Sequence, residues 1–215
     1  MLNTLQQHLE QVYEVDTNLQ VSEFLITDPI LADKYDTSEN PRNVHEKLLL
    51  AQNDDQLDVA LFLSKEIIGH LEANNPLESL NEENLHQFWV ALEGISHFTY
   101  LTWNAQYDRQ ISLFELELQA EVDKFVMAIW LFSRQQDMLH PKHLITKLFI
   151  KLQFDSALTE HELNRYTLAN QYAYRYCEKL MGLLAGQFNE QQLFNDIRRF
   201  YRLTNHYKLR HICNS

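Results

Sequence analysis

Residues 81–136, NEENLHQFWVALEGISHFTYLTWNAQYDRQISLFELELQAEVDKFVMAIWLFSRQQ, constrain the fold more than any other segment. Phe88, Trp89, Val90, Leu92, Ile95, Phe98, Leu101 and Trp103 cover nearly the whole circumference of a helix over 82–106, which leaves it little solvated face. A second helix, over 113–136, is as apolar through Leu113, Phe114, Leu116, Leu118, Val122, Phe125, Val126, Ile129 and Trp130. The short connection between 106 and 113 forces the two into an antiparallel pair. Their polar side chains Glu93, His97, Glu117, Glu121 and Asp123 are then hard to place in water.

Start signals agree with the periodicity. Asn81 is positioned to cap 82–106, Ser112 with Glu115 has capping-box spacing for 113–136, and Thr159 with Glu162 repeats it for a third long helix over 160–185. Pro141 suits the first turn of a helix over 141–152, Gly186 occupies the C′ position after 160–185, and Asn189 precedes a helix over 190–203. In the N-terminal third, Leu2, Leu5, Leu9, Val12 and Tyr13 mark an amphipathic helix over 1–14, and DTSENPRN at 36–43 reads as an exposed loop after a short helical piece. EKLLLAQ and LDVALFL around NDDQ have the form of a β-hairpin with strands near 47–52 and 57–63, followed by the helix SKEIIGHLEA capped by Ser64. The expected fold class is therefore mainly α: one domain over 1–215, an antiparallel helical bundle (81–215) with one β-hairpin in the N-terminal subregion (1–80).

Only four glycines and four prolines occur in 215 residues, which suits a few long helices and leaves little for a phosphate-cradling loop. No P-loop, GxGxxG, GxSxG, HExxH or paired CxxC is present, so nucleotide-dependent and acyl-enzyme chemistry are not expected. Cys177 and Cys213 are isolated, giving neither a disulfide framework nor a metal knuckle. The polar, acidic N-terminus is unlike a secretory signal, and no apolar run reaches the roughly 18–20 residues that span a bilayer. A soluble, cytoplasmic protein without membrane contact is the expectation.

Charge is unevenly placed. Residues 1–160 carry 10 Lys/Arg against 26 Asp/Glu, net −16, whereas residues 161–215 carry 8 against 4, net +4. The acidic part repels nucleic acid within a Debye length of roughly 8 Å. A polyanion would have to be met by Arg198, Arg199, Arg202, Lys208 and Arg210, which are interleaved with Phe200, Tyr201 and Tyr207. In the other reading this end is a terminal helix that docks on the acidic body through Leu193, Ile197, Phe200 and Tyr201.

Two constellations carry chemistry. Glu93 with His97, and Glu117 with Glu121, stand at i and i+4, so each pair projects from one helix face, and together they present three carboxylates and an imidazole. A two-metal helical bundle normally supplies Glu-x-x-His from two helices and Glu from two others. Here the spacing is Glu-x-x-x-His, repeated only at Glu66 and His70, and a second histidine helix is missing. Hydrogen bonding within the cluster, or pairing with Lys124 or Arg109, is the purely structural reading. Weaker candidates are Asp137, His140 and His143 around Pro141, and the face formed by Tyr172, Tyr176 and Lys179.

The second constellation is Arg199 and His206, six residues apart, which resembles the Arg-x(4–6)-His pattern of the HEPN ribonucleases, themselves small helical bundles. That resemblance implies an arginine stabilising a pentavalent phosphate and a histidine acting as acid or base on a 2′-hydroxyl. The position after the arginine, usually polar in such sites, is Phe200.

The expected class is a non-catalytic protein-interaction or regulatory module, working through the surroundings of Glu93, His97, Glu117 and Glu121 or through the basic C-terminal segment. With 10 Tyr, 12 Phe and 3 Trp, a homodimer is credible. The competing class is an enzyme: metal-dependent through Glu93, His97, Glu117 and Glu121, or a ribonuclease through Arg199 and His206. A divalent metal is the one cofactor considered.

Overall fold

The computed structural model describes residues 1–37, 42, 44–53, 56–135, 141–150, 155–185 and 190–214. Among these residues the chain is mainly helical, with a small three-stranded mixed sheet. In order, the elements are α1 (Leu2–Tyr13), a 3₁₀ turn (Val21–Phe24), β1 (Leu25–Ile26), α2 (Pro29–Tyr35), β2 (Glu46–Asn53) and β3 (Gln56–Leu63). Then come α3 (Lys65–Ala73), α4 (Leu85–Ala105), α5 (Leu113–Gln135) and α6 (Pro141–Ile145), which runs into a π-helical turn (Thr146–Ile150). The chain ends with α7 (Glu160–Ala185), α8 (Glu190–Arg202) and α9 (Asn205–Cys213).

Side-chain caps set several of these starts. Asp28 accepts from the Ile30 amide with Pro29 at the first helical position, and Ser64 accepts from the Ile67 amide. Thr159 and Glu162 form a reciprocal capping box: the Glu162 amide donates to Thr159 Oγ1 and the Thr159 amide to Glu162 Oε2. Ser112 accepts from the Glu115 amide, but the Glu115 carboxylate turns to Arg109 and Tyr100 instead of closing the box. Helix α4 begins three residues later than expected. Asn84 Oδ1 accepts from the Asn81 amide and Asn81 Oδ1 from the Glu83 amide, so the two asparagines build a turn ahead of the helix.

β2 and β3 pair antiparallel from Glu46 opposite Leu63 to Asn53 opposite Gln56, and β1 adds in parallel with Leu25 opposite Leu61, so β3 is central. The expected hairpin strands are therefore two members of a mixed sheet. At two residues, β1 is too short to leave an alternating pattern in the sequence. The centre of the NDDQ turn at 54–55, most of the loop at 38–43, the expected helix end at 151–152, Gly186 and Asn189 lie outside the described residues.

One apolar cluster draws residues from α1, β3 and every helix from α3 to α9. The basic C-terminal segment closes onto α1. Arg198 Nε donates to Val12 O at 2.9 Å, and Arg202 donates to the carbonyls of Tyr13 and Glu14 at 2.9 and 2.8 Å. These are last-turn carbonyls that α1 cannot satisfy itself, and a cation there also meets the negative end of the helix dipole. Helix α5 lies between α4 and α7: Trp89 Nε1 donates to Lys124 O, and Tyr100 Oη to Glu115. β2 and β3 cover another side of α4. Among the described residues no helix is long and apolar enough to cross a membrane.

Candidate metal centre

β2, α4, α5 and the start of α7 wall an open cleft of about 790 Å³. Glu46, Leu48 and Leu50 share one face of β2 by strand alternation and all line this cleft. The sheet comes close because residue 94 is glycine. A Cβ there would lie 2.5 Å from Leu61 Cδ1 and 2.9 Å from Glu46 Cγ. Less than one turn further along α4, His97 thereby meets a carboxylate from a strand as well as one from a helix.

His97 is 7 % exposed. Its Nδ1 lies 3.6 Å from Glu46 Oε1 and its Nε2 lies 3.5 Å from Glu117 Oε2. Neither His97 Nε2 nor Glu46 Oε1 has a hydrogen-bond partner, although both are buried. Glu93, His97 and Glu117 each place one ligand atom within 4.8 Å of the others. Beside them Lys124 donates to Glu93 Oε2 at 2.9 Å and to Glu121 Oε1 at 2.7 Å. Arg165 Nε stands 3.8 Å from Glu117 Oε1, with its guanidinium 5.1 Å from the Tyr166 ring centre.

Burial and charge compete throughout the site. Burial alone would lower the pKa of His97, but contact with Glu117 and Glu46 outweighs it and holds the imidazole well above its ordinary value. Burial pushes Glu46 and Glu121 up. For Glu93 the same burial is overcome by Lys124, and its pKa falls. Burial of Lys124 is likewise overcome, by Glu121 and Glu93, so its ammonium stays charged. The Tyr166 phenol is pushed up to about 12 by burial and by the nearby Glu117 and Glu93 charges.

Donor spacing bears on what fits here. With bonds of about 2.1 Å to a metal, two ligands of a tetrahedral ion lie about 3.4 Å apart. The 3.5 Å between His97 Nε2 and Glu117 Oε2 is of that size, and it exceeds a good N–H···O hydrogen bond. An imidazole with carboxylates suits zinc, iron or manganese.

The structure thus gathers Glu93, His97 and Glu117 at one point and joins Glu121 to them through Lys124. Asp123 goes elsewhere. It is wholly buried in a second network, accepting from Tyr13 Oη and Ser96 Oγ at 2.5 Å and from Gln119 Nε2 at 2.7 Å. Lys208, also wholly buried, donates to Gln119 Oε1 at 2.5 Å. Burial raises the Asp123 pKa to about 6 and lowers that of Lys208 to about 7.

Arg199 and His206 are exposed on α8 and α9, on either side of the break at Leu203–Thr204, and neither lines the cleft. Of the five basic residues in this segment, Arg198 and Arg202 hold α1, Lys208 is internal, and Arg199 and Arg210 are exposed. Glu66 faces His45 at 4.0 Å, while His70 Nε2 contacts the Glu83 carbonyl. His143 faces Glu82; Asp137 and His140 lie outside the described residues. Tyr176 and Lys179 both bond to Asp196. Sequence reasoning missed Glu46 and Arg165, which come from distant segments. The one local signal for Glu46 was Gly94, an isolated glycine inside an apolar helix, where close approach by another backbone is a usual reason.

Comparisons with protein-family models, with characterised proteins and with solved structures return no match.

Proposed function

We propose that the protein is a metal-dependent enzyme built as an antiparallel helical bundle, with one divalent transition-metal ion bound by Glu93, His97 and Glu117 at the floor of the cleft. The observation that carries this reading is the His97 Nε2 atom: more than nine-tenths buried, without a hydrogen-bond partner, and facing Glu117 at ligand spacing. Glu46 on the opposite ring nitrogen then takes the role of the carboxylate that orients a metal-bound histidine and fixes its tautomer. Three protein ligands beneath an open cleft are the arrangement of a catalytic ion, which keeps a position for water or substrate. Such an ion supplies a Lewis acid and lowers the pKa of bound water. Tyr166 and Arg165 line the same cleft, placing a phenol and a cation within reach of whatever binds there.

The alternative, a non-catalytic partner-binding module, draws on exposed apolar side chains. Ile30, Tyr107, Ile150 and Tyr207 are the most exposed of these, but they belong to four separate segments. The metal reading is preferred because its groups converge.

Elemental analysis of untagged protein, followed by titration of chelator-treated protein with Zn²⁺ and Mn²⁺, tests the proposal. One tightly held ion is expected. His97→Ala should abolish it, and Glu46→Gln should weaken it by about 10–100-fold, as loss of such an orienting carboxylate does. Untagged protein that takes up no ion, with His97→Ala changing only stability, overturns the reading.

A further inference from the structure

We infer that Lys124 occupies the place of a second cation, so that this carboxylate cluster holds one divalent ion and not a pair. The inference rests on the metal reading above and adds to it the number of ions.

Four carboxylates converge here from three elements: Glu46 from β2, Glu93 from α4, and Glu117 and Glu121 from α5. That is the carboxylate count of a two-metal helical bundle, in which carboxylates from facing helices reach a common cation. In this chain the common cation is an ammonium. Lys124 Nζ takes one oxygen from Glu93 on α4 and one from Glu121 on α5, so it links the two helices as a bridged ion would. Its side chain is 7 % exposed, which leaves no room to swing out without unpacking the helix pair. The second histidine of a two-metal site is also missing, and its absence follows if a covalently attached cation already fills that position.

Formal charge supports the same count. Against four carboxylates, Lys124 and Arg165 leave −2, which one divalent ion cancels. A second would leave a buried excess of +2, and uncompensated buried charge is strongly disfavoured. Glu93 is divided between the two cations. One oxygen is committed to Lys124, and the other is free to join His97 and Glu117.

The experiment is titration of chelator-treated protein with Mn²⁺, following bound metal by elemental analysis and its electron paramagnetic resonance spectrum. Wild type should saturate at one equivalent, with the six-line signal of an isolated ion. Lys124→Ala should take up two equivalents and show the broadened spectrum of an exchange-coupled pair. Lys124→Met, which keeps the helix and most of the volume, guards against a variant that fails to fold and carries the same expectation. Two equivalents in wild type, or one equivalent in a folded Lys124 variant, overturns the inference while leaving the metal reading in place. No uptake by wild type overturns both.

Discussion

Helix α5 carries two buried polar clusters that differ in how their atoms are satisfied. Gln119 and Asp123 enter a closed core where both Asp123 oxygens accept hydrogen bonds and Gln119 links Asp123 to Lys208. Glu117, Glu121 and Lys124 reach the cleft, where Glu46 Oε1, His97 Nε2, Glu121 Oε2 and Arg165 Nε have no hydrogen-bond partner. A buried polar group without a partner costs roughly 1–3 kcal/mol. Four such atoms at one cleft, beside a neighbouring network whose carboxylate is fully bonded, mark the first cluster as shaped for something further and the second as part of the framework.

Removing the centre of each cluster should therefore have opposite consequences. Asp123→Ala strips the acceptor from Tyr13, Ser96 and Gln119 and leaves Lys208 without a nearby counter-charge; a loss of about 3–5 kcal/mol is expected, the range for breaking a buried pair. Urea denaturation of metal-free protein measures it. A loss below about 1 kcal/mol would show the core network to be as slack as the cleft.

The closed network also predicts a pH dependence. Lys208, whose pKa is depressed to about 7 from an ordinary 10.5, contributes stability that is complete above 10.5 and lost as pH falls through 7. Asp123, raised to about 6 from 3.8, contributes stability present below 3.8 and lost as pH rises through 6. These two groups together place a stability minimum between about pH 6 and 7. From pH 7 to 9 the Lys208 contribution should raise stability by about 1 kcal/mol per pH unit, and Lys208→Met should remove that slope. An unchanged slope in the variant would move the effect to other groups.

How much of this was legible depended on range. The long helices and the reciprocal Thr159–Glu162 box were readable because periodicity and capping are local. Glu93, His97, Glu117 and Glu121 stood out because apolar neighbours left them no solvated face. What local patterns could not say was which carboxylate would end in which cluster. Glu121 and Asp123 are two residues apart on α5, yet one bonds to Lys124 and the other to Tyr13, 110 positions away. Glu46 was invisible for the same reason, since its place depends on a strand packing across α4. Lys208 looked like part of a basic surface until its burial against Gln119, Tyr100 and Phe200 was seen.

The two smaller predictions test how the cleft cluster is assembled. Gly94→Ala inserts a methyl against Leu61, whose side chain is wholly buried, so the β2–β3 pair must shift. Overpacking of this kind costs about 1–3 kcal/mol. Because Glu46 moves with the strand, the variant should also weaken Zn²⁺ binding, though less than His97→Ala. Thermal denaturation with and without Zn²⁺ separates the two effects: destabilisation without change in the ion-dependent shift would mean that Glu46 does not orient His97. Glu117→Gln should have the smallest effect on metal-free stability, below about 1 kcal/mol, because the carboxylate meets His97 and Arg165 only at 3.5 and 3.8 Å, a weak pairing in which the amide can stand in. The same substitution should nevertheless remove most of the Zn²⁺ affinity. That pairing of negligible structural cost with a large binding loss is the reverse of what Asp123→Ala should show. A Glu117→Gln variant destabilised by several kcal/mol would place the cleft cluster with the framework after all.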